Sequence, residues 1–103
     1  MKRQEVASFY KDLSSYAGKT VTVCGWARSI RDSKTLGFID LNDGTSFKGV
    51  QIVFEDGKID NFKEIASQNV GAALRVTGTL LATPEAKQPF EIHASEITVE
   101  GPS

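Results

Sequence analysis

The chain has 103 residues, of which 40% are hydrophobic and 24% are charged, and its formal net charge is −1. This length and composition predict one soluble globular domain with a single modest core. The near-neutral charge argues against a protein that holds long nucleic acids by phosphate neutralisation alone, so any nucleic-acid contact should be short and local. Because the sequence has neither an apolar run that spans a bilayer nor an apolar signal region, we expect a cytoplasmic protein without a membrane partner.

The first predicted element is an N-terminal helix. Its apolar residues follow the i, i+3, i+4, i+7 spacing of one helical stripe: Val6, Phe9, Tyr10 and Leu13. The helix is expected to end near residues 14–18, where small and polar residues interrupt the stripe. We therefore assign residues 1–17 to a helical segment and residues 18–103 to the domain that follows.

A first strand is predicted over residues 20–31. Val21 and Val23 alternate there with polar residues until Gly25 interrupts the pattern. A glycine inside a strand commonly marks a bulge or a sharp bend, so this strand should be long and bent. Cys24, the only cysteine, has no partner for an internal disulfide and no clustered ligands for a metal, and is expected to be a small buried core residue.

The most informative stretch is a predicted hairpin of two strands at residues 36–42 and 47–54. The turn between them contains Asp-Gly at positions 43–44, which favours the positive φ of tight hairpins. Strand residues alternate between two faces, so Phe38 and Gln51 should be near neighbours on the polar face. An aromatic ring beside an amide is suited to reading an unpaired base, although a single exposed phenylalanine is also ordinary on a folded surface.

Three more elements follow the hairpin. A helix over the apolar positions 59–66 is expected to use Asp60 as its N-cap. Residues 74–80 alternate as a fourth strand. Residues 90–99 form a fifth, whose apolar phase shifts after Ala94 and so predicts a bulge.

This order of elements predicts the fold class. Three strands, a helix and two strands, with a bent first strand, are typical of an all-β, five-stranded Greek-key OB-fold barrel, here with an N-terminal helix and a helix between strands 3 and 4. In such barrels the face of strands 2 and 3 commonly binds oligonucleotides, and aromatic stacking supplies about 1–3 kcal/mol per base.

Two segments resemble a known family: GWARSIRDSKTLGFIDLNDGTSFKGVQIVF and VTGTLLATPEAKQPFEIHASEITVEGP. They are similar to the N-terminal anticodon-binding domain of the asparaginyl-tRNA synthetases, class II enzymes of the aspartyl, asparaginyl and lysyl subgroup, and the likeness covers residues 18–102. The GW-x-R-x-x-RD and F-I-x-L-x-D-G patterns are typical of the subgroup. RDSK, SFKGVQ and QPFEI-x-A resemble the asparaginyl branch, but aspartyl-tRNA synthetases share much of the pattern and stay as an alternative.

The resemblance implies roles for four residues. Phe38 would stack on an anticodon base, and Gln51 would hydrogen-bond the central uridine. Arg31 would contact the anticodon loop, and Glu91 would help to read the first base, a guanine or modified guanine. These roles suit the groups, since a guanidinium fork binds phosphate or a carbonyl, and an amide offers one donor group and one acceptor.

Some of these residues also have simpler explanations. Arg31 is a candidate partner for the neighbouring Asp32, in an exposed ion pair of little energetic value. Glu91 is, by periodicity alone, an ordinary outward residue of the last strand. His93 shares its face and receives no role.

The resemblance further implies the partner and the missing chemistry. The partner would be an asparagine-accepting tRNA with the anticodon GUU, and this stretch would contain no catalytic, cofactor-binding or metal-binding residue. The parent would be an asparagine-tRNA ligase that uses ATP and Mg²⁺ in a catalytic domain absent from this chain. That domain would also supply the contacts of a homodimer, so the fragment alone should be mostly monomeric and inactive as an enzyme.

Three other classes compete with this hypothesis. A general single-stranded nucleic-acid-binding module should show several exposed aromatic residues and a basic groove, whereas this chain offers one clear candidate and a pI of ≈ 5.8. A nuclease would use Asp40 and Asp43 with Arg31 as a phosphate clamp, but acids at a hairpin more commonly serve the turn. A protein-interaction barrel would bind its partner without RNA.

Overall fold

The structure is a computed structural model that describes residues 5–45, 49–83 and 90–101. Its elements in chain order are α1 (Val6–Lys11), α2 (Leu13–Tyr16), β1 (Thr20–Asp32), β2 (Leu36–Asn42), β3 (Val50–Glu55), α3 (Phe62–Ala66), β4 (Ala73–Ala82) and β5 (Phe90–Gly101). The strands close into a barrel in the order β1-β2-β3-β5-β4, which confirms the predicted fold class. The β3–β5 pair is parallel, and the other strand pairs described are antiparallel.

The barrel encloses one apolar core because alternate residues of each strand point inward. Full burial of a large aliphatic or aromatic side chain contributes about 1.5–3 kcal/mol relative to exposure, so this core is the main source of stability. The buried hydrophobic strand residues are Val21, Val23, Ala27, Ile39, Leu41, Val50, Ile52, Phe54, Leu74, Val76, Leu80, Phe90, Ile92, Ala94 and Ile97.

Helices cover the two ends of the β3–β5 pair. Phe9 of α1 packs edge-on against Phe90 at the start of β5, with ring centroids 5.8 Å apart, and Tyr10 lies 4.7 Å from the same ring. Phe62 of α3 contacts Phe54 near the end of β3, at 5.2 Å. Because β3 and β5 run in the same direction, these contacts lie at opposite ends of the pair.

The predicted N-terminal helix is divided in two. Asp12 lies between α1 and α2 with φ −147° and ψ 61°, which is not helical. Its carboxylate accepts hydrogen bonds from the hydroxyls of Ser14, at 3.3 Å, and Ser15, at 2.6 Å. Such local bonds compete with continuous helix, which accounts for the break. The apolar stripe still packs on the core as predicted.

The irregularity predicted at Gly25 in β1 lies at another position of the strand. The register of β1 against β2 shifts between Ala27 and Ser29, not at Gly25, which pairs regularly with Leu74 of β4. Gly25 has a different purpose, since a Cβ atom there would overlap the backbone carbonyl of Asn42. The glycine therefore permits close approach of two backbones, and the bulge that bends β1 follows it.

The second predicted bulge is confirmed. Thr77 pairs with Glu96 and Gly78 pairs with Ala94, so Ser95 is the extra residue in β5. This insertion produces the shift of apolar phase after Ala94 that is visible in the sequence.

Two further predictions of local structure have different outcomes. Gly44 has φ 84°, as the Asp-Gly turn predicts. Asp60 is not the N-cap of α3, because Asn61 takes that position and donates to Glu64 Oε1 at 2.8 Å and to the Ile97 carbonyl at 2.9 Å.

The predicted beginning of the third strand and most of the loop after β4 lie outside the described residues. Of the helices described, none has the length and hydropathy needed to cross a bilayer.

Candidate nucleic-acid interface

The outer side of the barrel carries two rows of side chains that run across all five strands. Strand pairing defines the first, which we call the amide row: Ser29, Asp40, Gln51, Glu91 and Leu81. The second, the aromatic row, lies two residues away on each strand: Arg31, Phe38, Val53, His93 and Thr79. All ten residues are half-buried or exposed. Since a strand rises about 3.3 Å per residue, the rows are roughly 7 Å apart.

The four residues singled out from the sequence all lie in these rows. Gln51 and Glu91 are neighbours in the amide row, and Arg31 and Phe38 are neighbours in the aromatic row. Phe38 faces Val53 directly and Gln51 faces Asp40, so Phe38 and Gln51 are diagonal neighbours on one face. The predicted proximity of the ring and the amide is confirmed.

Arg31 and Phe38 form a cation–π pair. The guanidinium carbon of Arg31 lies 5.7 Å from the centroid of the half-buried Phe38 ring. The ion pair considered between Arg31 and Asp32, both within the described part of the chain, is not formed. A cation–π contact at a solvent-accessible site contributes about 0.5–1 kcal/mol, so it favours a position of the positive charge beside the aromatic surface.

Gln51 and Glu91 are joined by a direct hydrogen bond. Gln51 Nε2 donates to Glu91 Oε2 at 3.1 Å across the parallel β3–β5 pair. The other carboxylate oxygen, Oε1, lies 2.8 Å from Nε2 of His93. His93, to which the sequence assigned no role, is therefore the third member of a chain of hydrogen bonds that crosses both rows.

A small polar depression of ≈ 200 Å³ lies between the two rows. It presents a guanidinium, a hydroxyl, a carboxylate and an amide around the Phe38 ring, so hydrogen-bond donors and acceptors surround a flat apolar surface. That combination is suited to a ligand with a planar ring and a polar edge, such as a nucleobase. The lining residues are Ser29, Arg31, Phe38, Ile39, Asp40 and Gln51.

Asp40 is a member of this site that the sequence indicated only as a nuclease candidate. Its Oδ1 atom is buried and has no hydrogen-bond partner among the described residues. It lies against Gly49, where a Cβ atom would overlap it. Burial, and secondarily the negative charge of Asp40, raise the pKa of Tyr10, whose hydroxyl donates to the Gly49 carbonyl at 2.8 Å. The signal for Asp40 in the sequence was its shared parity with Phe38 in β2.

Asp43, the second acid of the nuclease hypothesis, has structural contacts. Its Oδ2 accepts the backbone N–H of Val6 at 2.8 Å, and its Oδ1 accepts from the Thr45 backbone and hydroxyl at 3.0 and 2.6 Å. These bonds close the turn and fasten α1 to it. In the described ranges, no group of three or more His, Cys, Asp or Glu side chains is arranged to hold a metal ion.

A second depression, of ≈ 420 Å³, lies on the β1–β4 side and includes Trp26, which is 43% exposed and which the sequence did not single out. Cys24 and Arg75 also line it.

The prediction that Cys24 is a buried core residue is wrong. Val21 and Val23 occupy the inward positions of β1, so the strand alternation places Cys24 on the outer side, where it is half-buried.

Comparisons with known proteins agree with this architecture. Residues 21–100 match the tRNA anti-codon family, described as an OB-fold nucleic acid binding domain. The chain is 52% identical over 103 residues to an asparagine–tRNA ligase from Acetivibrio thermocellus, covering 100% of this chain and 22% of that protein. It is 55% identical over 101 residues to an asparagine–tRNA ligase from Bacillus cereus, covering 98% of this chain and 22% of the ligase.

A solved structure shows the same fold. The asparaginyl-tRNA synthetase of Pyrococcus horikoshii complexed with asparaginyl-adenylate superposes with a TM-score of 0.85 at 18% identity, over 100% of this chain and 23% of that one. This chain thus spans about one fifth of the length of the ligases it matches. The resemblance to asparaginyl-tRNA synthetases seen in the sequence is confirmed, and the chain belongs to the tRNA anti-codon family of OB-fold nucleic acid binding domains.

Proposed function

We propose that this barrel binds the anticodon loop of an asparagine-accepting tRNA with its outer β1-β2-β3-β5 face. The observation that carries the proposal is the meeting of Arg31, Phe38, Gln51 and Glu91 in two adjacent rows of that face. The names of the relatives give the class of RNA, and the depression beside Phe38 offers the chemistry that an unpaired base requires.

Stacking is the first part of the proposed contact. Phe38 offers its ring to an anticodon base, and a base on an aromatic side chain contributes about 1–3 kcal/mol. Arg31 lies over the same ring and supplies a positive charge beside the stacking surface. The guanidinium fork is then positioned to bind a backbone phosphate or a base carbonyl.

Hydrogen bonding on the base edges is the second part. Gln51 is a donor and an acceptor beside the ring and pairs with the edge of the central uridine. Glu91, next to it in the amide row, accepts from the N–H groups of guanine at the first anticodon position. Each carboxylate oxygen has more than one acceptor site, so a base contact is compatible with the bonds from Gln51 and His93.

Electrostatics predict modest affinity. The formal net charge is −1, and the proposed face contains both an arginine and two carboxylates. A domain that makes only a few phosphate contacts loses affinity with salt at a log-log slope of roughly −0.7 per contact on single strands. Selectivity should therefore come from the base contacts more than from the phosphates.

The relatives that extend beyond this chain suggest the larger context. We propose that the domain belongs to an asparagine-tRNA ligase that activates asparagine with ATP and Mg²⁺ in a separate catalytic domain and forms a homodimer through it. This chain alone would then bind tRNA as a monomer and catalyse nothing.

The test is a titration of the domain, at low salt, with an anticodon stem-loop carrying GUU. Two further stem-loops differ only at one base, GCU at the centre and GUC at the third position. A loss of affinity for GCU supports anticodon reading, and a further loss for GUC supports asparagine over aspartate. Equal affinity for all three would contradict the proposal in favour of a nonspecific single-strand binder.

A further inference from the structure

Three side chains on the outer face form a continuous chain of hydrogen bonds. Gln51 Nε2 donates to Glu91 Oε2 at 3.1 Å, and Glu91 Oε1 lies 2.8 Å from His93 Nε2. The side chain of Glu91 is 24% exposed and that of His93 is 47% exposed, so His93 lies on the solvent side of the carboxylate. Glu91 is thus held through both of its oxygens.

The chemistry of Glu91 determines which way the Gln51 amide faces. An ionised carboxylate only accepts hydrogen bonds, so the group of Gln51 that faces it must be the NH₂ group. The opposite orientation would place the amide oxygen against the carboxylate, two acceptors in contact. The bond to Glu91 therefore keeps the Nε2 end of the amide at the carboxylate, and Gln51 Oε1 points away from it.

His93 in turn sets the position of Glu91. Because Glu91 accepts, His93 Nε2 must carry a hydrogen, which is true of one neutral tautomer and of the charged imidazole. The other residues that face His93 from neighbouring strands are Val53 of β3 and Thr79 of β4, neither of which is charged. Without His93, Oε1 would lose this bond and the carboxylate would be free to rotate away from Gln51.

The orientation of the Gln51 amide decides which pyrimidine it can bind through N3. Uridine has a donor N–H at N3, whereas N3 of cytidine is an acceptor, so at N3 the two bases require opposite ends of the amide. We propose that His93 and Glu91 are positioning residues that lock the Gln51 amide with its oxygen toward the base, and that this lock sets selection of uridine over cytidine at the central anticodon position. The inference rests on the proposed anticodon function and adds His93 to it.

The test measures the ratio of affinities for stem-loops carrying GUU and GCU, and not affinity alone. In Glu91→Gln, a side chain of the same shape can donate or accept, so position 91 no longer requires the NH₂ end of the Gln51 amide. The GUU-over-GCU ratio should fall by about ten-fold, since one mispaired polar contact is worth roughly that factor. Glu96→Gln, the same change at an exposed position of β5 outside both rows, should leave the ratio unchanged.

His93 variants separate positioning from folding. His93→Ala should lower the ratio, and His93→Gln, which keeps an N–H donor for Glu91, should restore most of it. Thermal unfolding of each variant is measured alongside, and Glu91→Gln tests the lock even if His93→Ala is unstable.

Two negative results have different meanings. If the unaltered domain prefers GUU and both Glu91→Gln and His93→Ala keep its ratio, the positioning inference is overturned and anticodon reading stands. If the unaltered domain binds both stem-loops equally, the proposed function fails and the inference fails with it.

Discussion

The guanidinium carbon of Arg31 lies 5.7 Å from the ring centroid of Phe38, although these residues belong to different strands and are seven positions apart. The pair brings a positive charge and a stacking surface to one point of the barrel. It also means that Arg31 lies over the ring that is proposed to stack, so a base must share the ring with the guanidinium or displace it. If the barrel binds tRNA as proposed, both residues contribute to affinity at the same place.

Phe38→Ala should weaken binding of the GUU stem-loop by about 1–3 kcal/mol, which is roughly 5- to 150-fold, because it removes the stacking surface. Fluorescence anisotropy at low salt measures the change. Trp26→Ala removes an exposed aromatic residue outside the two rows and should have little effect. Unchanged affinity in Phe38→Ala would contradict the stacking role of Phe38.

Arg31→Ala should reduce the dependence of binding on salt. If Arg31 contacts a phosphate, its loss removes one contact and makes the log-log slope shallower by about 0.7. The measurement is a series of dissociation constants between low and moderate salt. Arg75→Ala, an arginine of β4 that pairs with Glu100 away from both rows, is the matched control. An identical slope in Arg31→Ala would mean that its guanidinium binds no phosphate.

Gln51→Ala should reduce selection of the central base more than it reduces overall affinity. The amide is the group proposed to distinguish the pyrimidine edges, and losing it removes the discrimination, worth about 1–3 kcal/mol for a well-made base contact. Competition between GUU and GCU stem-loops measures it. Gln68→Ala, a glutamine of the segment after α3 that bonds to the Glu64 carbonyl, serves as control. An equal loss for both stem-loops would contradict the reading role.

Tyr10 should ionise at a higher pH than the ordinary tyrosine value of 10.0, because burial and then the charge of Asp40 raise its pKa. The folded protein therefore keeps this proton at a pH at which the unfolded chain has lost it. Stability from this source is present below pH 10.0 and is lost as the pH rises through the raised pKa.

Absorbance of phenolate in a Tyr16→Phe background, which leaves one tyrosine, measures the Tyr10 pKa directly. Adding Asp40→Asn should lower the pKa toward its ordinary value without reaching it, since burial is the larger cause. Titration of Tyr10 at or below pH 10.0 would show that the phenol is neither buried nor close to Asp40.

Gly37→Ala should destabilise the barrel by about 1–3 kcal/mol, the usual cost of forcing extra atoms into a packed core. A Cβ atom at Gly37 would overlap the ring of Phe54, which is fully buried. Urea denaturation gives the free energy of unfolding. Gly101→Ala, whose nearest contact would be an ordinary 3.9 Å to Ala73 Cβ, is the control. Equal stability of both variants would mean that the Phe54 ring has room to move.

Strand pattern was readable from the sequence because alternation is a local property. The bounds of β2, the shared face of Phe38 and Gln51, and the extra residue in β5 all follow from the parity of neighbouring side chains. The Asp-Gly turn, with Gly44 at φ 84°, follows from the conformational freedom of a single residue. Local rules also failed in places, because the position of the β1 bulge depends on its pairing with two partner strands.

The sequence by itself determined the fold class and most of the apolar core, since the apolar residues can be buried together in only one phase of each strand. Only the tertiary structure decided which outward side chains meet across strands that no hairpin joins. Gln51 and Glu91 are 40 positions apart and touch because β3 and β5 pair in parallel at that register. No local pattern encodes such a contact, because it depends on how the barrel closes, and for the same reason only the fold brings the Glu91–His93 pair beside Gln51.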